Sequence, residues 1–470
     1  MTFSSKLLID GALVEGDRTI DVIDPANGRP FATVACASQA QAERAIQAAK
    51  AAQPAWEAAG WSHRASLLAR YADALAARAA EFADIMVREQ GKPLAEAKAE
   101  VGYTIDFVRY FAGVLPHEQQ LDTADTSRAT LFRKALGVVV GISPWNFPLL
   151  IPAAKLAPAL LTGNTIVLKP APTTPISTLL LGEVANDIFP RGVLNVITDQ
   201  NDLGDFLTSH ADVAKVTFTG STATGRKIMA SAAPTLKRVS LELGGNDAAI
   251  VLKDVDVIDT AQKIFDASFF NTGQACLAIK RVYVATEIYD AFCDAMAGHA
   301  RNARMGSGAD ESTRIGPLQN RQQFEKAKHY LEVARTDGVI IAGGGYRNDA
   351  GYFVEPTIVR DIDDASALVA DEQFSPILPI VRVRDGDDAL RRANHSEFGL
   401  AGSVWSADVT AARALARQMQ AGTVWINQHL NFGPTIPLAG AKQSGLGVEW
   451  GELGVEEFGQ VSVINEAVAA

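Results

Sequence analysis

Apolar residues recur at two different periods along this chain, and the changeover divides it. Between residues 38 and 90, Leu67, Tyr71 and Leu75 stand one helical turn apart, and Ser38 with Gln41 makes the pair that closes a helix start by reciprocal hydrogen bonds. The spacing predicts helices here, stopped by Gly91 and Pro93. From residue 136 short apolar runs take over: "LGVVVGIS", "TIVLKP", "VLNVIT" and "KVTFTG". Segments such as "PLLIPAAKLAPALLTG" and "ISTLLLGEVANDIF", long enough for helices, separate them. Strands alternating with helices predict right-handed crossovers and a parallel sheet covered on both faces.

A second alternation runs from "DAAIVL" through "RVYVA", "VIIAGG", "ILPIVRV" and "AGSVWS" to "GTVWIN", enough for a second sheet. Two more strand-like segments, "TSRATLFRKALGV" (126 to 138) and "GQVSVINEAV" (459 to 468), belong clearly to neither. Such strands tend to bridge domains or to pair with another chain.

The length of 470 residues exceeds what one hydrophobic core usually serves, which fits two large domains and a smaller element. A net charge of −11 without a cluster of Lys and Arg argues against nucleic-acid and anionic-membrane partners. The start "MTFSSKLLIDGALVEG" lacks the apolar stretch of a secretory signal, and no run of about 18 apolar residues occurs, so a cytoplasmic location is expected. Cys36, Cys276 and Cys293 are too few and too scattered for a disulfide framework or a metal knuckle. The seven histidines lack ligand spacing, and no metal site is expected.

Chemistry enters with the turns. "FTGSTATG" sets Gly220, Ser221 and Gly225 between a strand and a helix, where backbone N–H groups and a helix amino terminus can approach a pyrophosphate. Taken alone this G-x4-G pattern reads equally as an ordinary strand-to-helix turn. "LKPAPTTP" puts Lys169 at the end of another parallel strand, the side of the sheet on which ligands bind. "GISPWNFP" puts Asn146 where its amide could donate to a developing oxyanion, and "LELGGND" sets Glu242 before two glycines. In "FFNTGQACLAI", Cys276 by itself reads more readily as a small buried residue than as a nucleophile.

Together the segments change that reading. "PWNFP", "LKPA", "FTGST", "LELGG", "GQAC" and "AKQSG" stand in the order and at the distances that mark the aldehyde dehydrogenase superfamily, and the chain resembles that family over nearly its whole length. The resemblance implies an α/β fold of two Rossmann-type parallel-sheet domains plus a small bridging, oligomerising β element. Its expected boundaries are 1–117 with 139–241 for the dinucleotide-binding domain, 242–432 for the catalytic domain, and 118–138 with 455–470 for the bridge. Residues 433–454 would return to the cofactor domain and the edge of the active site.

For the chemistry, the resemblance implies that Cys276 attacks an aldehyde carbonyl, Asn146 and the Cys276 N–H hold the oxyanion, and Glu242 activates the water that releases the acid. No side chain can accept the hydride leaving the adduct, so a nicotinamide cofactor is expected. Its contacts are expected at Ile142, Ser143, Pro144, Trp145, Lys169, Pro172, Gly220, Ser221, Gly225, Leu243, Gly244, Glu372 and Phe374. Pro172 stands where many NAD-preferring members carry a Glu on the ribose hydroxyls, so NAD is the first expectation and NADP stays open. Glu449 with Lys155 matches a proton relay used by some members, although Glu449 reads equally as a structural acid.

Phe147, Ile151, Ala154, Leu277 and His429, with the surrounding "QHLNF", match substrate-tunnel positions. They are mostly apolar and lack Arg or Lys, so a medium-sized aliphatic or aromatic aldehyde is expected. Leu438 and Ala439, where Phe and Gly are common, are expected to affect loop geometry more than chemical roles. Transfer of the acyl group to coenzyme A is the second enzymatic reading, disfavoured by Glu242. A non-catalytic oligomer is a third, against which Cys276, Asn146 and Glu242 all stand. The bridging strands imply a homodimer or homotetramer.

Overall fold

The computed structural model describes residues 5–116, 118–121, 127–347 and 349–467, so parts of the expected bridge, 122–126 and 468–470, lie outside the described residues, as do 1–4, 117 and 348. The first alternation folds into an eight-stranded sheet. Its centre is five parallel strands in the order Leu194–Val196, Thr165–Lys169, Val138–Ile142, Val213–Thr219 and Arg238–Glu242. Antiparallel strands close both ends: Leu7–Ile9, followed by Ala12–Val14, on one side and Gly445–Leu446 on the other. Strand Val138–Ile142 is buried at every position, which is why it reads as a continuous apolar run rather than an alternation.

Helices cover the sheet. Ser38 and Gln41 make the reciprocal cap of helix Gln39–Ala58, and Trp61–Ala77 and Ala79–Glu89 follow. Gly91 (φ +92°) and Pro93 interrupt the helical run rather than end it, because another helix, Leu94–Gly113, starts directly afterwards. Helix Leu150–Leu161 is buried all round, Lys155 included.

The second alternation forms a seven-stranded sheet in the order Val339–Ala342, Thr357–Arg360, Ile377–Val383, Ile279–Ala285, Asp247–Val251, Ala401–Trp405 and Thr423–Ile426. It is parallel except for Val339–Ala342, an antiparallel edge on Thr357–Arg360. The two strand-like segments that fitted neither alternation pair with each other, Ser127–Ala135 against Gly459–Ala467, and Gln119–Leu121 completes a third sheet. Among the described residues no helix is long and apolar enough to cross a membrane.

Candidate active site

Three parallel strands of the first sheet end at one place. Val138–Ile142 runs into Ser143, Pro144, Trp145 and Asn146; Val213–Thr219 into Gly220 and Ser221; and Arg238–Glu242 terminates on Glu242 itself. Register aligns Thr219 with Glu242, so both side chains leave the same end of the sheet. The segment before strand Ile279–Ala285 brings in Cys276.

That segment is bent sharply. Asn271, Thr272 and Gly273 have φ of 50°, 58° and 75°, three successive left-handed residues of which two carry side chains. Hydrogen bonds hold the bend. Glu96 Oε2 accepts from Asn271 N at 2.9 Å, and Thr272 Oγ1 accepts from Gly316 N at 3.0 Å. Gln274 Nε2 donates to Asn271 O at 3.0 Å. At Gly273 a Cβ would lie 2.5 Å from the Ser375 carbonyl, so only glycine fits.

The same network ties Asn146 to the cysteine turn. Asn146 Nδ2 donates to Gln274 O at 3.1 Å, while the Asn146 carbonyl accepts from Asn271 Nδ2 and from Lys92 Nζ, both at 3.0 Å. Lys92 is paired with Glu100, whose other oxygen accepts from Leu149 N and Leu150 N at 3.0 and 3.1 Å. Glu100 thereby caps a helix that has no side-chain cap of its own.

Two cavities meet at Cys276. One, of about 180 Å³, is lined by Trp145, Asn146, Gly220, Ser221, Glu372 and Phe374 among others. The other, of about 50 Å³, is almost wholly apolar, lined by Phe147, Ile151, Leu277, Leu430, Phe432 and Trp450, with Glu242 and Glu449 at its wall. Cys276, Thr219 and Leu243 border both.

Their electrostatics differ. Glu242 is 4 % exposed, and neither carboxyl oxygen has a hydrogen-bond partner among the described residues. Burial, and next the Glu449 carboxylate, hold its pKa well above the usual range, with Lys155 opposing. Lys155 Nζ pairs with Glu449 Oε1, and Thr217 Oγ1 bonds both, at 3.1 and 3.0 Å. Glu449 is held by paired backbone bonds to Leu438. Burial pushes the Cys276 thiol up to about 12; Lys280 opposes this, and Asp247, Glu242 and Glu372 add to it.

The larger cavity presents a helix amino terminus and bare backbone, features suited to an anionic group such as a phosphate. Ser221 caps helix Thr222–Ala232, whose amino terminus lies beside the lining residues Gly220 and Ser221. At Gly220 a Cβ would stand 2.4 Å from the Phe218 ring, and at Gly244 it would stand 2.6 Å from Glu372 Oε2, so the backbone there is bare. Thr219 Oγ1 and Asn146 Oδ1 are buried without a partner. Glu372 accepts from Gly245 N at 3.0 Å, and Trp145 and Phe374 meet edge to face at 5.5 Å.

Of the residues expected from sequence, Pro144, Trp145, Asn146, Gly220, Ser221, Leu243, Gly244, Glu372 and Phe374 line the larger cavity. Ile142, Ser143, Lys169, Pro172 and Gly225 do not. The Lys169 ammonium is buried and bound to Asp199 Oδ1 at 2.6 Å, from the loop that follows the neighbouring strand. Phe147, Ile151 and Leu277 line the smaller cavity, whereas Ala154 and His429 do not. His429 Nε2 instead lies 2.7 Å from the Leu277 carbonyl, and burial lowers its pKa to about 3.

Leu150, Phe270 and Trp450 also line the apolar cavity, and nothing in their local sequence marks them. Leu438, expected to shape a loop, contributes its side chain to the wall.

Comparison with known proteins agrees with this geometry. The model of the aldehyde dehydrogenase family matches residues 13–464. The chain is 39 % identical to aldehyde dehydrogenase LUC3 from a Fusarium species, over 97 % of each chain. It is 37 % identical to a betaine aldehyde dehydrogenase from Rhizobium etli, over 97 % of this chain and 96 % of that one. A crystal structure of betaine aldehyde dehydrogenase from Staphylococcus aureus in complex with NAD+ superposes with a TM-score of 0.96 at 32 % identity, over 98 % of this chain and 95 % of that one. With a thiol between a polar cavity and an apolar one, and a family match that spans both sheets, this chain belongs to the aldehyde dehydrogenase family.

Proposed function

We propose that this NAD(P)-dependent aldehyde dehydrogenase works through Cys276 as nucleophile, Asn146 as oxyanion donor and Glu242 as the base for hydrolysis. The observation that carries the assignment is the position of Cys276 on the border of both cavities, one polar and one apolar. An aldehyde entering past Phe147, Leu430 and Phe432 arrives with its carbonyl at the thiol and its tail in apolar surroundings. Sulfur adds to the carbonyl carbon, and the oxyanion takes hydrogen bonds from the second Asn146 N–H and the Cys276 N–H, which has no acceptor among the described residues.

Gly220, Ser221, Leu243, Gly244, Glu372 and Phe374 would hold the dinucleotide. When bound, its nicotinamide supplies the hydride acceptor. The acyl group is then left on sulfur as a thioester. Glu242 accepts a proton from water as that water attacks the acyl carbon, and the thiolate departs from the acid. Glu449, Lys155 and Thr217 are bonded to one another beside Glu242, a chain able to pass that proton onward.

The substrate in this reading is a medium-sized aliphatic or aromatic aldehyde, supported by a cavity wall without Lys or Arg. NAD is the first cofactor, since NAD+ occupies the Staphylococcus aureus structure. Homodimer or homotetramer formation is supported by Val461, Val463 and Ile464, exposed by about half on the outer strand Gly459–Ala467. Residues 118–138 and 455–470 are then the bridge, 1–117 with 139–241 the cofactor domain and 242–432 the catalytic domain, with 433–454 returning to the first sheet. The unpaired thiols Cys36 and Cys293 suit the cytoplasm.

Rapid mixing tests the division of labour. Glu242→Gln should give a burst of reduced nucleotide followed by slow turnover, and Cys276→Ala should give no burst. Equal loss of the burst in both would overturn the assignment.

A further inference from the structure

A buried lysine follows the nucleophile four residues later. Lys280 lies in strand Ile279–Ala285 and is 2 % exposed. Its Nζ donates to the Cys276 carbonyl at 2.6 Å and to the Ala278 carbonyl at 3.2 Å, and Glu372 Oε1 stands 4.0 Å away. Lys92 and Lys155, also buried, each make a direct contact with a glutamate. Among the described residues, Lys280 has only backbone carbonyls at hydrogen-bond distance. An ammonium compensated in this way leaves more of its field for its neighbours.

Those neighbours are the thiol and three acids. Glu242 faces Cys276 from the end of Arg238–Glu242, Asp247 from the start of Asp247–Val251, and Glu372 from the loop before Ile377–Val383. All three disfavour a thiolate, and Lys280 is the cation that opposes them. Beyond these, Lys326 donates to the Glu372 carbonyl at 2.7 Å. Arg281 points its guanidinium to Asn246 O, Tyr283 and Ala393 O. His429 is buried on the Leu277 carbonyl.

We propose that Lys280 is the positioning residue of the nucleophile: its bond to the Cys276 carbonyl fixes the turn that presents sulfur to both cavities, and its charge favours the thiolate against the surrounding carboxylates. This rests on Cys276 being the nucleophile. It assigns to the strand after the cysteine a task that burial alone would work against.

The test uses enzyme without nucleotide or aldehyde. Alkylation of Cys276 by iodoacetamide and by iodoacetate is followed by peptide mass spectrometry between about pH 6 and pH 10, where thiolate fraction sets the rate. Cys36 and Cys293 are fully buried and serve as internal references. Lys280→Gln should slow iodoacetamide about tenfold, the change that one pH unit in the thiol midpoint produces. Iodoacetate, an anion, should be slowed more. Lys280→Arg should stay within about threefold of the parent, since it keeps the charge. Lys280→Met, which preserves the packing of the stem, takes the place of Lys280→Gln if the latter does not fold.

Unchanged rates in Lys280→Gln or Lys280→Met would overturn the proposal. So would equal slowing of both reagents with no rescue by arginine, which assigns Lys280 to folding alone. An acyl adduct found away from Cys276 during turnover removes the nucleophile reading itself and leaves the alkylation result standing, so the two failures are distinguishable.

Discussion

Glu242 sits with both carboxyl oxygens buried and without a donor, a state that favours the protonated form. In the proposed role as base Glu242 must be ionised, so the acid limb of deacylation should lie above the ordinary glutamate value of 4.5. Glu449→Gln removes a like charge and leaves Lys155 uncompensated, and both changes favour ionised Glu242. The limb should therefore move to lower pH, measured as single-turnover thioester hydrolysis against pH; an unmoved limb would separate Glu449 from Glu242.

Stability carries the same sign. A carboxyl with a raised folded-state pKa contributes stability that is full below its unfolded value and is lost as pH rises through the folded one. Glu242→Gln escapes that loss, so melting curves should show a gain over the parent at about pH 9 and little difference at about pH 4.5. Asn146 is a separate matter: in its proposed role as oxyanion donor, Asn146→Ala should lower kcat on the order of a hundredfold. At this scale the juxtaposition of Cys276, Glu242 and Asn146 on two adjoining cavities was legible only through the three together, since no one of them is distinctive alone. Lys169 was placed at the right strand end, but its partner Asp199 comes from another loop, a pairing that no local pattern reveals.

The elements hold these groups through long-range acids. Glu96, on helix Leu94–Gly113, accepts from Asn271 N in the left-handed bend before Cys276. Glu96→Ala leaves that N–H buried without an acceptor, at a cost of about 1–3 kcal/mol. The expected outcome is a lower melting temperature together with a fall in kcat, since the bend also anchors Asn146; a drop in stability with kcat intact would show that the bend does not set the geometry. Glu100 and Glu89 act likewise, capping helices Leu150–Leu161 and Ile176–Asn186 from elsewhere in the chain. The capping box at Ser38 was visible because both partners lie within one turn. These distant caps were not, since they join residues dozens of positions apart. The same limit hid Phe270, Leu438 and Trp450 from the cavity wall.

The whole molecule was more legible than its parts. Alternating apolar runs predicted two parallel sheets because buried parallel strands must be apolar at successive positions. The edges escaped: Leu7–Ile9 and Gly445–Leu446 are short antiparallel additions from the two ends of the chain. The strands left over from both alternations form a third sheet whose outer member, Gly459–Ala467, bears exposed Val461, Val463 and Ile464. In the proposed dimer or tetramer, deleting residues from 459 onward should shift the protein to a smaller species by light scattering, and an unchanged size would remove this strand from the proposed interface. The proposed chemistry depends on a covalent bond at Cys276, which mass spectrometry can detect directly. Glu242→Gln enzyme mixed with an aldehyde and NAD, quenched in acid and digested, should carry the acyl mass on the peptide that holds Cys276; an acyl group on any other peptide, or none, would contradict the account.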